Sequence, residues 1–302
     1  MRLVTYERDG GRRLGALVGQ RLIDVPTAVG EPGFPTTMEE LVERGVPALD
    51  PAREALGQND VDRHTVEAAR LLVPLLPASL RDFLAFEDHV KAGSARRGEP
   101  VPQAWYEIPF YYKGNHRSVY GPEDVIPWPS YTEELDYELE VAAILGGRGR
   151  DLDEEGAAEL IFGYTLMNDW SARDIQRKEM AVRLGPAKGK DFATSLGPCI
   201  VTGDELDPSS LRLVARVDGE IWSEGSLSRA YWTFPQMIAH VSQGEDVWPA
   251  DVYGSGTFGG GCGLDLGRFL WPGAVVELNA EPIGVLRNRV GPRPSRSPDP
   301  AG

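Results

Sequence analysis

The chain has 302 residues, 41% hydrophobic and 25% charged, an ordinary globular composition with enough length for a real core in one large domain or two. Forty-six acids against 31 bases give a formal charge of −15, and no basic stripe interleaves with aromatics. No nucleic-acid partner is therefore expected, while a locally favourable pocket for an anionic substrate stays open. Two cysteines, Cys199 and Cys262, argue against a disulfide framework and leave a single bridge open. The start "MRLVTYERDGGRR" lacks a signal-like apolar core, and no window approaches the ~18 apolar residues of a membrane span, so a cytoplasmic protein with no membrane partner is expected.

Residues 1 to 25 predict short strands, "LVTYE" and "LGALVG", flanking the turn signal "RDGGRR". Helices are expected over 38–56 and 60–73, with a proline-containing break near "VPALDP". Two prolines punctuate "LLVPLLPASL" (71–80), which places a domain boundary near residue 75. "FLAFEDHVKAGSARRG" predicts a helix or a helix-containing loop. From about 106 onward the pattern is mainly β, interrupted by helices over roughly 152–163, with Asp153 as cap, and 232–243. The expected organisation is a small N-terminal domain (1–75), a catalytic domain (76–290) and a disordered Pro/Ser-rich tail (291–302).

"ELDYELEVAAIL" (134–145) ends as a core strand but places Asp136, Glu138 and Glu140 at alternate positions, which share one face of a strand. Such acids can form a solvated face or pair with arginines. No Lys or Arg lies between Pro129 and Gly147, however, and unpaired carboxylates near a core repel one another and lose solvation. A divalent cation removes both penalties, and hard oxygen donors suit Mg²⁺, Ca²⁺ or Mn²⁺.

"FGYTLMNDWSARDIQ" (162–176) begins as an apolar strand and ends in a polar knot of Asn168, Asp169, Ser171, Arg173, Asp174 and Gln176. Asp169 can cap a following helix and Arg173 can bridge Asp174, but so many polar groups at the end of a buried strand suit a site. "GPAKGKDFATSLGP" (185–198) sets Lys190, Asp191 and Thr194 on a tight loop that is no Walker motif. "YGSGTFGGGCGLDLG" (253–267) is a Gly-rich turn whose backbone N–H groups can approach a ligand closely.

Four motifs in order, "LDYELE", "MNDWSARDIQ", "GKDFATSLGP" and "GSGT…LDLG", resemble the fumarylacetoacetate hydrolase family across roughly residues 80–290. That family includes fumarylacetoacetase and small dioxo-acid hydrolases, hydratases, isomerases and decarboxylases. The resemblance implies a mainly β (α+β) fold, a mixed β-roll or β-sandwich catalytic domain behind a small α/β N-terminal domain, and a homodimer. It implies a divalent metal, Mg²⁺ first with Ca²⁺ or Mn²⁺ as alternatives, held by Glu138, Glu140 and Asp169. Asp82, seven residues before His89, matches the fourth ligand. Asp136 is left over, hydrogen-bonded or in an outer position.

By the same resemblance His89 is the general base on water, and an unperturbed imidazole pKa of ~6.5 suits that task. Asp265 stands where many relatives have a Glu that orients this base. One methylene shorter, it implies a water-mediated or slightly shifted pair. Lys190 matches a lysine that stabilises an oxyanion or enolate. Arg173, Gln176, Thr194, Thr257 and Tyr112 match or adjoin substrate contacts, with a core aromatic as the other reading of Tyr112. Leu84 and Met180 replace tyrosines of fumarylacetoacetase, which suits a more apolar acyl chain. Arg96 and Arg97 are either solvated or available to a substrate carboxylate.

The expected activity is metal-dependent hydrolysis of a C–C bond in a β-diketone-type or acylpyruvate-type acid. The alternative is hydration, tautomerisation, decarboxylation, or cyclisation or dehydration of a 2-oxo or 1,3-dicarbonyl acid at the same site.

Overall fold

The computed structural model describes residues 1–294. The N-terminal segment forms β1 (Arg2–Arg8), β2 (Gly11–Val18), β3 (Arg21–Asp24), α1 (Val25–Val29), α2 (Met38–Arg44) and α3 (Leu49–Leu56). Next come β4 (Ser79–Phe83), α4 (Glu87–Arg97), β5 (Tyr111–Lys113), β6 (Val119–Tyr120), β7 (Val125–Ile126), β8 (Leu135–Asp136), β9 (Leu139–Leu145), α5 (Glu154–Glu159) and β10 (Ile161–Asp169). The chain ends with β11 (Ser171–Ala172), α6 (Arg173–Ala181), β12 (Thr194–Thr202), β13 (Arg212–Val217), β14 (Glu220–Ser226), α7 (Phe234–Ser242), β15 (Asp251–Gly254), α8 (Gly263–Leu266), β16 (Val275–Ala280) and β17 (Gly284–Val290).

The main sheet runs β3-β2-β1-β12-β10-β9-β15-β4-β5, with β6 also on β12; a second sheet runs β14-β13-β16-β17-β7. The fold is mainly β within an α+β architecture, as the sequence implies. β9 is buried along its whole length because both faces of the main sheet are covered. Leu139, Val141, Ala143 and Leu145 enter one core, with Leu213, Ala215, Val276 and Leu278 of the second sheet. Ala142 and Ile144 enter another, with Leu3 and Leu14 and with Met38, Leu41 and Leu49 of the N-terminal helices. Alternation along β9 thus sorts its side chains between two layers.

Local chemistry sets the helix ends. Thr37 and Glu40 form a capping box on α2, Thr233 and Gln236 form one on α7, and Asp153 caps α5 as expected. The expected helix 38–56 is two helices interrupted at Gly45 to Ala48, close to the anticipated break.

Three expectations differ. Residues 60–73 hold only a 3₁₀ turn, Val61–His64. Thr65 and Val66 lie along β3, where Val66 N donates to Leu22 O, and residues 70–72 lie along β1, where Glu7 N donates to Arg70 O and Leu72 N to Thr5 O, so backbone pairing overrides the helical pattern. The helix expected over 152–163 ends at Glu159, and β10 begins at Ile161. The strand expected over 134–145 is interrupted between Asp136 and Leu139, and α6 occupies the second half of the polar knot.

Segment 1–75 joins the rest of the fold through β1–β12 pairing in the main sheet. Both cysteines are free and buried. Of the tail expected at 291–302, residues 295–302 lie outside the described residues. Among the described residues no helix is long and apolar enough to cross a membrane.

Candidate active site

Strand parity brings the acids together. Asp82 follows Leu80 on β4, Asp169 follows Met167 on β10, and Glu140 precedes Ala142 on β9. Leu80, Met167 and Ala142 all belong to the core against the N-terminal helices, so each acid lies one step beyond that core on the same face of the sheet. Asp82, Glu138, Glu140 and Asp169 are all buried, with one oxygen from each within 4.8 Å of the others.

Two glycines serve the cluster, one by space and one by its N–H. Gly254 pairs with Asp82 across β15–β4, and a Cβ there would lie 2.4 Å from Asp82 Oδ1 and 3.1 Å from Glu140 Oε2. Gly256 adopts φ +73°, where a Cβ would meet Phe83 O at 2.1 Å. Its N–H lies 3.2 Å from both Asp82 Oδ1 and Glu140 Oε2.

Cations reach the cluster from distant segments. Arg173, at the start of α6, donates to Glu138 Oε1 at 2.8 Å and, through Nε, to Asp136 Oδ2 at 2.8 Å. Lys190 Nζ lies 2.5 Å from Glu138 Oε2 and also donates to Asp169 Oδ2. The loop bearing Lys190 is tied to α6 by Glu179, which accepts from the N–H groups of Ala187, Lys188 and Gly189. Against the expectation that these carboxylates lack basic partners, Asp136 and Glu138 are both paired: Arg173 lies 37 and 35 residues from them, and Lys190 lies 52 from Glu138.

The charges respond accordingly. Burial, reinforced by Asp169, pushes Asp82 well above the usual carboxylate range. Burial, reinforced by Asp82 and Asp169, does the same to Glu140. Burial also raises Asp169, with Lys190 opposing. At Glu138 burial is outweighed by Lys190 and Arg173, which bring it down to about 2. Lys190 is raised because Asp169 and Glu138 outweigh its burial.

With Asp136, five buried acids face the two buried cations Lys190 and Arg173. Glu140 Oε1 and Asp169 Oδ1 are buried without a hydrogen-bond partner. Orphaned oxygens, an excess of acid and an all-oxygen donor set fit a hard divalent cation. Asp136 itself is not a ligand candidate. It accepts from Arg173 and from the N–H groups of Gly263 and Leu264, and so anchors α8.

Beside the cluster, His89 Nδ1 lies 3.1 Å from Asp265 Oδ2. The contact is direct, where the shorter acid implied a water-mediated or shifted pair. α8 carries Asp265 into direct contact with the ring. Gly260 N donates to Asp265 Oδ2 at 3.0 Å and Arg96 to Oδ1 at 2.7 Å. These partners outweigh burial and hold Asp265 below the usual carboxylate range. Arg96 follows His89 by seven residues on α4, two helical turns along one face, a spacing visible in the sequence. Arg97 pairs instead with Glu99.

The remaining predicted residues surround this arrangement. Tyr112, the cross-strand partner of Asp82, donates its hydroxyl to Asp169 Oδ2 at 2.7 Å. Gln176 Oε1 accepts from Arg173 at 2.9 Å. Thr194 is buried opposite Asp169 across β10–β12. Thr257 donates its hydroxyl to Leu139 O at 3.0 Å. Sequence reasoning missed Gly254, Gly256 as a donor to the acids, and Arg96 as a partner of Asp265.

A family model described as fumarylacetoacetate (FAA) hydrolase C-terminal matches residues 79–291. Human oxaloacetate tautomerase FAHD2A, mitochondrial, is 30% identical, covering 96% of this chain and 91% of the relative. Fumarylacetoacetase from Arabidopsis thaliana is 30% identical, covering 79% and 70%. The solved fumarylacetoacetate hydrolase from psychrophilic Exiguobacterium antarcticum has a TM-score of 0.78 at 29% identity, covering 97% of this chain and 100% of that one. A match over most of the chain, in both sequence and fold, makes this protein an enzyme of the fumarylacetoacetate hydrolase family.

Proposed function

We propose that the enzyme hydrolyses a C–C bond in an acylpyruvate-type or β-diketone-type acid. The observation that carries this reading is the direct His89–Asp265 pair, 3.1 Å apart, beside the acidic cluster. Asp265 engages Nδ1 and orients the ring, leaving Nε2 as the proton acceptor. His89 takes a proton from water, and the resulting hydroxide bonds to the acyl carbonyl carbon. The C–C bond then breaks, releasing a carboxylic acid and the enolate of the 2-oxo acid, to whose carbon His89 returns its proton.

Asp82, Glu138, Glu140 and Asp169 would hold a divalent cation, Mg²⁺ first and Ca²⁺ or Mn²⁺ otherwise. When bound, it supplies Lewis-acid polarisation of the substrate's carbonyl oxygens. Glu138 retains lone pairs for it beyond those shared with Lys190 and Arg173. Lys190 stabilises negative charge developing on oxygen. Arg173 and Gln176 orient the acid end, with Tyr112, Thr194 and Thr257 as further contacts; Thr257 reaches a substrate carboxylate by rotating its hydroxyl off Leu139 O. Leu84 and Met180, 44% and 51% exposed, suit an apolar acyl chain.

The second reading is tautomerisation, favoured by the tautomerase name of a relative that matches 96% of this chain. His89 would then move a proton between carbon and oxygen without water attack. A Mg²⁺-supplemented screen of acylpyruvates, 3,5-dioxo acids and oxaloacetate, with products identified by mass spectrometry and ketonisation followed by ultraviolet absorbance, tests both. Two fragments support hydrolysis; one isomeric product and no cleavage of any acid sinks it. A homodimer and cytoplasmic residence complete the proposal, testable by solution mass and cell fractionation.

A further inference from the structure

Next to the all-oxygen cluster, a second set of donors converges with different chemistry. His89 on α4, Cys262 immediately before α8 and Asp265 within α8 offer a ring nitrogen, a thiol sulfur and a carboxylate oxygen, all within 4.8 Å of one another. We propose that this triplet is a site for thiophilic metal ions such as Zn²⁺, and that its occupation switches off turnover.

The donor sets separate the two sites. Four carboxylates favour hard cations that keep to oxygen. A mixed sulfur, nitrogen and oxygen set favours Zn²⁺, and three protein ligands leave a fourth position for water. Cys262 is fully buried and bridges Glu138 in the backbone pairing, so the sites adjoin while sharing no donor. Closing the triplet on one ion takes shifts on the order of 1 Å. α4 can supply them, because Ser94 is its single buried residue and its anchors are mainly polar.

Cys262 is a free, buried thiol. On binding, the thiol proton passes to solvent and the sulfur bonds to the ion. Asp265 Oδ2, which now faces His89 Nδ1 and accepts from Gly260 N, turns to the metal. The inhibitory consequence rests on the proposed base role of His89: a metallated His89 cannot take a proton from water. Binding itself does not depend on that role.

Co²⁺ serves as a spectroscopic substitute for Zn²⁺, titrated into the Mg²⁺-loaded protein. The expected result is a near-ultraviolet thiolate-to-cobalt charge-transfer band saturating at one equivalent. The band disappears in Cys262→Ala and Cys262→Ser and persists in Cys199→Ser. Both Cys262 variants keep basal turnover, and their half-inhibitory Zn²⁺ concentration rises at least about 10- to 100-fold. No band in the wild type, or one that survives both Cys262 substitutions, overturns the site. Equal Zn²⁺ inhibition of wild type and variants overturns the link to turnover. A protein that shows the band yet converts no 2-oxo acid in Mg²⁺ alone defeats the proposed function and leaves this site standing.

Discussion

The carboxylate cluster and the His89–Asp265 pair adjoin one another but are held in different ways. Asp82, Glu140 and Asp169 project from strands of one sheet, one step beyond a packed core, with Gly254 leaving space beside Asp82 and Glu140 and Gly256 N donating to both. His89 rides on α4, an eleven-residue helix whose one buried residue is Ser94. That helix is tied down by Asp88 to Arg229 and Gly259 N, by Glu87 to Tyr106, and by His89 and Arg96 to Asp265. Electrostatics follow the same division: the acids of the cluster are raised, except Glu138, and Asp265 is lowered. The contrast teaches that the carboxylate cluster is fixed by the sheet, whereas His89 sits on a helix held mainly by polar contacts.

The largest expected effect comes from breaking the sheet side. Glu140→Gln lowers turnover by about 10³-fold or more, equivalent to several kcal/mol. The same change leaves the metal-free fold as stable as wild type or more so, because it removes a buried acid from a repelling cluster. Activity assays paired with denaturant melts check both halves. On the helix side, His89→Ala cuts hydrolysis about 10²- to 10⁴-fold while sparing metal affinity. Full activity of that variant on a cleaved substrate would remove His89 from the mechanism.

Gly254→Ala tests the spacing itself. Its Cβ would press on Asp82 Oδ1 and on Met167 Cε, 2.3 Å away. The expected cost is about 1–3 kcal/mol of stability and roughly 10- to 100-fold in metal affinity. Unchanged affinity would show that the cluster is softer than its packing implies.

Proton linkage gives a subtler contrast. Asp82 and Glu140 bind protons more tightly folded than unfolded. Their contribution to the metal-free fold is fully present below the ordinary carboxylate pKa of ~4 and is lost as pH rises through their raised values. Added Mg²⁺ should therefore raise the melting temperature more near pH ~8 than near pH ~5. A shift independent of pH contradicts the charge account. The smallest effect belongs to Arg96→Gln, which takes a partly exposed guanidinium from the buried Asp265, a carboxylate that keeps His89 and Gly260 N as partners; the cost is about 1 kcal/mol. A few-fold loss in kcat with faster amide exchange across α4 is expected.

Much of this candidate site is legible in the sequence. The alternation of Glu138 and Glu140, the polar end of the strand at Asp169 and the Gly-rich turn each carry local periodicity or turn chemistry. The resemblance supplied Asp82, His89 and their spacing; in the fold those two serve different halves, one on β4 and one on α4. What stayed hidden was long-range. No local pattern reveals that Arg173 and Lys190 compensate Glu138, or that Asp136 anchors the helix carrying Asp265. The helix α6 was obscured by its polar composition, which suits a loop as well. Residues 60–73 misled because pairing with β1 and β3, which a single segment cannot announce, overrode their helical pattern.

The central claim is that these acids form one divalent-cation site whose integrity is separate from the base. Mn²⁺ titration of the metal-stripped protein, with free ion followed by electron paramagnetic resonance, tests it most directly. One ion per chain is predicted for the wild type and for His89→Ala, with binding lost in Glu140→Gln. A wild-type chain that leaves Mn²⁺ free, or a Glu140→Gln chain that binds it equally well, would contradict the account.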